Sequence, residues 1–253
     1  MNLNPQNNSP ARDSISVIMP ALNEECNLRP AVELVKEVIN KKFNEYEIII
    51  VNDGSTDKTP LEAEALAKET NNIYVIHHSK PQGLGAAYKR GLAVAKMNYY
   101  LMISADNEAT KEQIENIISQ RGKADMIIPY TINSWIRPLG RKILSRTFVF
   151  MLNCLFGLGL KYYNGAVLHK RRILNSIHIN TDSFFYQAEA LIKLINSGHS
   201  FLEVGIEIKK RGPGGSKALR LSNIAKTLKA LISVYWEIRF KKKDKKTQTI
   251  ESP

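Results

Sequence analysis

A largely apolar run of strand length that ends in short polar and acidic side chains most constrains the fold of this chain. Residues 47–51 (Glu-Ile-Ile-Ile-Val) are followed at once by residues 52–57 (Asn-Asp-Gly-Ser-Thr-Asp) and then by a helical pattern. This order is typical of a parallel strand that delivers a carboxylate to the carboxyl edge of an α/β sheet, where ligands bind. The pattern recurs where residues 99–103 run into residues 104–108 (Ser-Ala-Asp-Asn-Glu). Two such strands predict a site for a nucleotide and a metal.

The first half of the chain alternates between strand and helix patterns. Strands are predicted at residues 14–20, 47–51, 73–76, 99–103 and 125–129, and helices at residues 28–40, 59–67, 86–95 and 111–119. Strict alternation favours a right-handed, doubly wound, mostly parallel sheet flanked by helices. The predicted fold class is therefore α/β.

The second half is less regular. Residues 143–160 are strongly apolar, but their uncharged part, residues 147–160, is too short to span a bilayer, which needs about 20 apolar residues. This segment is either a core helix or a helix in a membrane interface. Further along the chain, the patterns predict a helix at 187–196, an edge strand at 201–208, a glycine-rich basic loop at 209–217 and an amphipathic helix at 218–240.

Composition places the chain among ordinary globular proteins. The polar residues 1–13 lack the apolar core of a secretory signal, and we interpret them as a disordered leader. One domain is expected over residues 14–217, followed by the amphipathic helix and a basic disordered tail at 241–253. Cys26 and Cys154 are interpreted as thiols in a reducing compartment rather than as a disulfide.

The net charge of +12 is unevenly distributed. The tail contributes +3, which leaves +9 in the body, and residues 126–181 contain neither Asp nor Glu. Such a one-sided field suggests a phosphate-bearing partner such as a lipid headgroup, a phosphorylated substrate or a nucleic acid. The alternative is a solvated basic face.

Taken together, the motifs resemble the GT-A glycosyltransferases of family 2, within them the polyprenyl-phosphate (dolichyl-phosphate) hexose synthase branch. The resemblance covers about residues 14–221 and depends on an ordered set of motifs rather than on any one of them. The matching segments are residues 20–25, 51–57, 83–91, 104–106 and 164–165, then Glu189, Arg211 and residues 215–217.

The resemblance implies a nucleotide-sugar donor, UDP- or GDP-linked, bound after the first two strands. By that resemblance Glu24 contacts the ribose hydroxyls and Asp53 the base, roles for which ionised carboxylates are strong acceptors. Two alternatives remain open: Glu24 as an acid at a helix N-terminus, and Asp53 as a turn former before Gly54. The residues assigned to the donor are Pro20, Asn23, Glu24, Asp53, Gly54, Ser55, Gly85 and Asp106.

The segment at Ser104–Asp106 occupies the place of the Asp-x-Asp metal motif of the family, with serine in place of the first Asp. Asp106 is then expected to ligate Mg²⁺ or Mn²⁺, assisted by Glu108, with the donor diphosphate and water filling other positions. The alternative is that Asp106 caps the next helix.

Basic residues are expected to hold the acceptor. The resemblance implies that Arg137, Arg141 and Arg146 bind the acceptor phosphate, and Arg137 and Arg141 would share a face if their segment were helical. Arg211, Ser216 and Lys217 lie on the glycine-rich loop, interpreted as a lid over the diphosphate; the alternative is a solvated basic loop. Ser216 and Lys217 are also assigned to the acceptor phosphate, and Arg211 to catalysis.

The predicted function is inverting hexose transfer from a nucleotide sugar to a polyprenyl phosphate, by an enzyme held peripherally at the cytoplasmic membrane face. Because a phosphate monoester is already largely ionised near neutral pH, Glu189 would orient rather than deprotonate. A saccharide-hydroxyl acceptor is the alternative, with Glu189 or Asp182 as base. A further alternative for Glu189 is that it is an ordinary exposed acid on a helix, without a role in the site. A degenerate nucleotide- or RNA-binding protein is less favoured, because no nucleic-acid motif appears, and no nucleic-acid partner is expected.

Overall fold

A seven-stranded sheet organises the chain in a computed structural model that describes residues 13–209 and 227–240. The strands are β1 (Ser14–Ala21), β2 (Glu45–Asn52), β3 (Ile73–His77), β4 (Tyr99–Met102), β5 (Met126–Thr131), β6 (Leu168–Lys170) and β7 (Phe201–Ile206). The helices are α1 (Leu28–Asn40), α2 (Thr59–Glu69), α3 (Leu84–Val94), α4 (Lys111–Ile118), α5 (Leu139–Phe156), α6 (Arg171–Leu174), α7 (Tyr186–Asn196) and α8 (227–240).

The sheet is mostly parallel. Its strand order is β3-β2-β1-β4-β6-β5-β7, and β1, β2, β3 and β4 pair in parallel, as do β5 and β7. Among the described strands, β6 alone runs antiparallel, between β4 and β5. The carboxyl ends of β1, β2, β4 and β5 therefore lie along one edge of the sheet, where a doubly wound fold binds its ligands.

Helices cover both faces of the sheet and bury two apolar cores. On one face, α1, α2 and α4 contribute side chains such as Val35, Leu66 and Ile117. On the other, α3, α5, α7 and α8 pack against the sheet through residues such as Tyr88 and Leu191. The central strands β1, β2 and β4 are largely buried on both faces, which explains their continuous apolar runs in the sequence, whereas β3 and β7 are partly exposed.

The sequence-based fold class is confirmed, with one strand missed. The helix predicted at 28–40 matches α1, and β7 lies at the sheet edge, where an edge strand was expected. The apolar stretch at 143–160 is largely helical as part of α5. The antiparallel β6 was not predicted, because three residues are too few for a periodic pattern and its place between β4 and β5 depends on long-range pairing.

His169 of β6 is buried in the centre of the sheet, with 0 % of its surface exposed. It pairs with Tyr100 of β4 and Met126 of β5, and its Nε2 lies 3.3 Å from Nε2 of Gln187. Burial lowers the pKa of His169 from 6.5 to about 3, because the charged imidazolium is poorly solvated there. The folded protein therefore holds His169 neutral at physiological pH.

This burial predicts a pH-dependent stability. In the unfolded chain His169 binds a proton as pH falls through about 6.5, whereas in the folded chain it stays neutral down to about 3. Stability is therefore fully present above pH 6.5 and lost as pH falls, by about 2 kcal/mol between pH 7 and pH 5. Urea unfolding of His169→Gln should show a smaller loss over this range. Equal slopes for His169→Gln and the wild type would contradict the prediction.

Candidate active site

The site lies where the chain leaves β1, β2 and β4. After β4 the chain continues alongside β1, because the N–H of Ile103 donates to the carbonyl of Ile18 (2.9 Å) and that of Ala105 to the carbonyl of Pro20 (3.1 Å). These bonds bring the segment that carries Asp106 next to the loop that follows β1. The two acid-tipped strands recognised in the sequence thus deliver their polar ends to one place.

Hydrogen bonds connect the loop after β1 to the loop after β2. The N–H of Asn23 donates to Oγ of Ser55 (3.0 Å), and Oδ1 of Asn23 accepts from the N–H of Thr56 (2.8 Å). The carboxylate of Glu25 accepts from the N–H of Lys58 (2.9 Å). Short polar residues are therefore needed on both loops to satisfy their backbone groups. The two loops form one polar rim above the sheet.

Asp53 anchors a third loop, the segment between β3 and α3. Its Oδ1 accepts from the N–H of Gln82 (2.8 Å) and lies 2.8 Å from Nδ1 of His78, and its Oδ2 accepts from the N–H of Gly83 (2.9 Å). The side chains of Asp53 and His78 are both less than a tenth exposed. Both carboxylate oxygens are thus engaged in positioning this loop. The sequence analysis did not include His78 among the site residues. Its position directly after a predicted strand, at the sheet edge that binds ligands, could have indicated it.

The turn after β2 is held by Asn52 rather than by Asp53. Oδ1 of Asn52 accepts from the N–H of Ser55 at 3.1 Å. The alternative in which Asp53 serves as the local turn former is therefore wrong. Its contact with a nucleobase stays a prediction.

Glu24 precedes α1 and is half-buried. Its backbone carbonyl accepts from the N–H groups of Asn27 and Leu28, and its carboxylate accepts from Nδ2 of Asn27 (2.8 Å). An acid in this place is favoured by the helix dipole. The structural alternative is thus consistent with the geometry, and ribose binding by Glu24 stays a prediction.

Gly54 is required by both backbone conformation and space. Its φ is +72°, and a Cβ would lie 2.6 Å from the backbone carbonyl carbon of Lys80. We expect Gly54→Ala to lower the free energy of unfolding by more than the ~1–2 kcal/mol of left-handed strain alone. Gly157→Ala is a matched control, because Gly157 has a φ of +67° and an added methyl there would meet nothing within 4 Å. Equal losses of stability in urea unfolding would contradict the crowding at Gly54.

Asp106 is half-buried in the turn after β4, and its Oδ1 accepts from the N–H of Glu108 (3.2 Å). It does not cap α4, because the N-cap is Thr110, which forms a capping box with Gln113. The capping alternative for Asp106 is therefore wrong.

The potential metal ligands around Asp106 fit an ion that binds together with a substrate. Within residues 13–209 and 227–240, no group of three or more His, Cys, Asp or Glu side chains is placed to hold a metal ion. Mg²⁺ usually takes one or two protein carboxylates and completes its shell with water and substrate phosphates. Asp106, with Glu108 beside it, suits that arrangement and not an all-protein cage.

Glu189 is fully buried in α7, with 0 % exposure, so the alternative of an exposed helix acid is wrong. Its carboxylate accepts from the N–H groups of Asn180 (2.8 Å) and Thr181 (3.0 Å) and pairs with Nζ of Lys193 (2.8 Å). Both oxygens are thus engaged in holding the loop before α7. Lys193 was also missed, although its place four residues after Glu189 on a predicted helix is a pairing signal.

A cavity of about 420 Å³ lies beside Glu189. Its walls come from the start of α3, the loop before α7, and α8, and its lining includes Gln82, Gly83, Asn180, Asp182, Lys229 and Ser233. Gly85 stands at the same place, because its N–H donates to the carbonyl of Asp182 (3.0 Å) and a Cβ there would lie 2.7 Å from that residue's backbone. The volume falls within the range of ordinary ligand pockets.

The predicted acceptor arginines lie on and before α5. Arg137 precedes the helix and has an extended backbone. The shared helical face predicted for Arg137 and Arg141 is therefore absent, since it required both residues to be helical. Nη2 of Arg137 donates to Oγ1 of Thr131 at the end of β5 (3.1 Å), and the guanidinium of Arg137 lies 5.5 Å from the ring of Tyr162. Within the described ranges, neither Arg141 nor Arg146 forms an ion pair with a carboxylate.

Two other cations of the acid-free stretch share one acid that lies just outside it. Lys170 and Arg172 pair with Asp125, at 3.1 and 3.3 Å. One carboxylate offsets one of these two charges, so most of the positive charge of the stretch remains, part of it on α5. The predicted lid residues Arg211, Ser216 and Lys217 lie outside the described residues, as do residues 1–12 of the predicted leader, residues 218–226 of the predicted amphipathic helix and the predicted tail.

Comparisons with known proteins agree with this geometry. The sequence matches the profile of Glycosyl transferase family 2 over residues 16–187. Polyprenol monophosphomannose synthase of Mycolicibacterium smegmatis is 28% identical over 216 residues, which cover 79% of each chain. The putative glycosyltransferase EpsH of Bacillus subtilis is 33% identical over 116 residues, 46% of this chain but 33% of that protein.

Solved structures share the fold. Glucosyl-3-phosphoglycerate synthase from Mycobacterium tuberculosis in complex with UDP superposes with a TM-score of 0.68 at 18% identity, over 88% of this chain and 80% of the other. The same enzyme has also been solved with Mn²⁺, UDP and phosphoglyceric acid. The sheet with its acid-tipped strands is thus the GT-A fold, and the chain belongs to glycosyl transferase family 2.

Proposed function

We propose that this glycosyltransferase moves a hexose from a UDP- or GDP-sugar to a polyprenyl phosphate at the membrane surface. The observation that carries the proposal is the composition of α5. Arg141 and Arg146 lie on the same helix as the exposed apolar side chains of Leu139, Ile143 and Phe150. A lipid phosphate combines an anionic head with a hydrocarbon chain, and α5 offers a cationic and an apolar surface together. The similarity to polyprenol monophosphomannose synthase supports the same acceptor class.

The donor is proposed to lie over the carboxyl ends of β1, β2 and β4. Glu24 accepts hydrogen bonds from the ribose hydroxyls, and Asp53 fixes the loop at Gln82–Gly83 and approaches the base. Asp106, with Glu108, holds Mg²⁺ or Mn²⁺, as the metal-containing structures with the shared fold suggest. When bound, the ion supplies positive charge at the diphosphate, where charge develops in the transition state.

Transfer is proposed to proceed with inversion. An oxygen of the acceptor phosphate forms a bond to the anomeric carbon while the bond from that carbon to the nucleoside diphosphate breaks, and the electron pair leaves with the diphosphate. The guanidinium groups of Arg137, Arg141 and Arg146 orient the phosphate. Because the acceptor is already ionised, no general base is needed. Glu189 then acts through the loop that it holds, in agreement with its fully occupied carboxylate.

A saccharide-hydroxyl acceptor is the second candidate. It requires a base within reach of the hydroxyl, and Glu189 is paired with Lys193 while Asp182 is paired with Lys89 (2.7 Å). Asp182 is the better placed of the two, because its side chain is 59% exposed. The occupied carboxylates favour the lipid phosphate.

The experiment that tests the function is a partition assay. Purified full-length protein is incubated with radiolabelled UDP- and GDP-sugars, Mg²⁺ or Mn²⁺, and a short polyprenyl phosphate, and label in the organic phase is counted. Lipid-dependent label supports the proposal and identifies the donor. Label that stays aqueous and depends on an added saccharide or phosphoglycerate would replace the lipid acceptor by a soluble one.

Membrane contact is proposed to use α8 together with α5. In α8 Leu231, Val234 and Ile238 are buried in the core, while Leu228, Ile232, Trp236 and Phe240 are exposed at four-residue spacing. The helix is thus apolar on two faces, and an exposed apolar stripe flanked by the cations Lys229 and Arg239 is typical of an interfacial helix. The described helices include none that is long and apolar enough to cross a bilayer.

Removing two side chains of this stripe is expected to weaken binding to vesicles. Ile232→Ser combined with Trp236→Ser should lower co-sedimentation with vesicles containing anionic phospholipid by about tenfold or more, because each apolar side chain contributes over 1 kcal/mol when buried. Leu61→Ser is a matched control, since Leu61 is 71% exposed on α2, on the other face of the sheet. Binding that survives the double substitution, or that is equally lost with Leu61→Ser, would contradict a docking role for α8.

A further inference from the structure

A buried ionic network joins α7 to α8. Nζ of Lys193 donates to Oε1 of Glu189 (2.8 Å), to Oε2 of Glu237 (2.7 Å) and to the backbone carbonyl of His178 (2.7 Å). Lys193 is 3 % exposed, and the side chain of Glu237 is 28 % exposed at the edge of the network. All three protons of the ammonium group therefore have acceptors, and one of these acceptors belongs to the C-terminal helix.

The network also holds the loop that lines the cavity. Glu189 accepts from the N–H groups of Asn180 and Thr181, and Oε2 of Glu237 lies 3.5 Å from Nδ2 of Asn180. The segment 178–181 is thus held from α7 and from α8 at once. Since Asn180, Lys229 and Ser233 all line the cavity, α8 forms one wall of the cavity and contacts the loop that forms another.

From this loop the contacts continue to the start of α3. The carbonyl of Asp182 accepts from the N–H of Gly85 (3.0 Å), and its carboxylate pairs with Nζ of Lys89 (2.7 Å). Two residues before Gly85, the N–H of Gly83 donates to Asp53. A continuous series of polar contacts therefore connects α8 to the loop anchored by Asp53 at the carboxyl edge of β2.

Stability alone does not account for a buried network of this kind. Well-packed apolar side chains of similar volume usually stabilise a protein as well as a buried ion pair does. Charged groups, in contrast, fix direction and distance, because a displaced partner leaves a buried charge unsatisfied. Glu237 therefore links the position of α8 to that of the loop before α7, through Lys193 and Asn180.

We propose that Lys193 and Glu237 are positioning residues for sugar transfer, which act through Glu189 to hold the loop 178–183 against the start of α3. The inference rests on the proposed function for its effect on turnover. The structural part of the inference, that the position of the loop depends on α8, is independent of the proposed function. The position of α8 thereby controls the shape of the cavity.

Hydrogen–deuterium exchange of the full chain tests the structural part without any substrate. In Glu237→Gln, peptides covering 178–183 should exchange at least about tenfold faster than in the wild type, because the local opening free energy falls. Arg239→Gln is the matched control, since Arg239 is exposed on the same helix and lies over the ring of Tyr235. Unchanged exchange at 178–183, or equally fast exchange in the control, would overturn the proposal.

Steady-state kinetics test the functional part. Glu237→Gln should lower kcat/KM by about 10- to 100-fold, the range seen when hydrogen-bond partners that orient the ligands of metal sites are removed, and Glu237→Asp should recover part of it. Lys193→Met serves as a second variant that breaks the network at its centre. Faster exchange in Glu237→Gln with unimpaired transfer would overturn the positioning role. Failure of the wild type itself to transfer sugar would count against the proposed function and leave the exchange result standing.

Discussion

Replacement of Asp106 by alanine is expected to lower the rate of sugar transfer by a factor of about 10² to 10³, the usual effect of removing one electrostatic contact to a developing charge. Asp106 stands at the carboxyl end of β4 and supplies the carboxylate best placed for a divalent ion. Position 104 is a serine, so Asp106 is the single aspartate of the motif. Residue 104 therefore cannot supply a carboxylate when Asp106 is replaced. The measurement is donor turnover with and without Mg²⁺ or Mn²⁺.

Two controls separate metal binding from folding. Glu112→Gln changes an exposed acid in the first turn of α4, a few residues along the chain, and should leave transfer unchanged. Asp106→Asn keeps the shape of the side chain but removes its charge, and it should be nearly as inactive as Asp106→Ala, with a wild-type urea midpoint. Activity of Asp106→Asn close to that of the wild type would show that the carboxylate charge is not required.

Replacement of Asp53 by alanine is expected to lower the free energy of unfolding by about 3 kcal/mol, because it removes the charged acceptor of two part-buried hydrogen bonds, from the N–H groups of Gln82 and Gly83. His78 loses its partner in the same substitution. The loop between β3 and α3 should loosen, and binding of a nucleoside diphosphate should weaken with it. Urea unfolding and calorimetry with UDP and GDP measure the two effects.

The asparagine variant distinguishes the loop-holding role from base recognition. Asp53→Asn keeps one acceptor oxygen, so it should recover part of the stability that alanine loses. Glu33→Ala, at an exposed position on α1, should change the stability by less than about 0.5 kcal/mol. A full loss of nucleotide binding in Asp53→Asn with wild-type stability would indicate direct contact with the base, whereas wild-type stability in Asp53→Ala would contradict the loop-holding role.

Much of the fold followed from local patterns in the sequence. The apolar runs at β1 and β2 and the periodic face of α1 predicted their elements to within a few residues, because strands buried on two faces and amphipathic helices have distinct periods. The antiparallel β6 was missed. Its three residues carry no period of their own, and their pairing with β4 and β5 depends on chain segments far away in the sequence.

The site divides in the same way. Its position followed from sequence, because polar residues after parallel strands must gather at one sheet edge, and Asp53 and Asp106 do lie there. The partners of each side chain did not follow. No local pattern indicated that Asp53 holds the loop before α3, or that α8 brings Glu237 onto Lys193.

The fold class, the family and the edge of the sheet that carries the site can thus be predicted from the sequence alone, since these depend on short-range periodicity and on the order of motifs. The three-dimensional arrangement was needed to learn which carboxylates are occupied, that Arg137 lies outside α5, and that α8 forms a wall of the cavity. Hydrogen bonds and ion pairs between distant segments depend on angstrom-scale geometry, which is set by packing and not by local propensity.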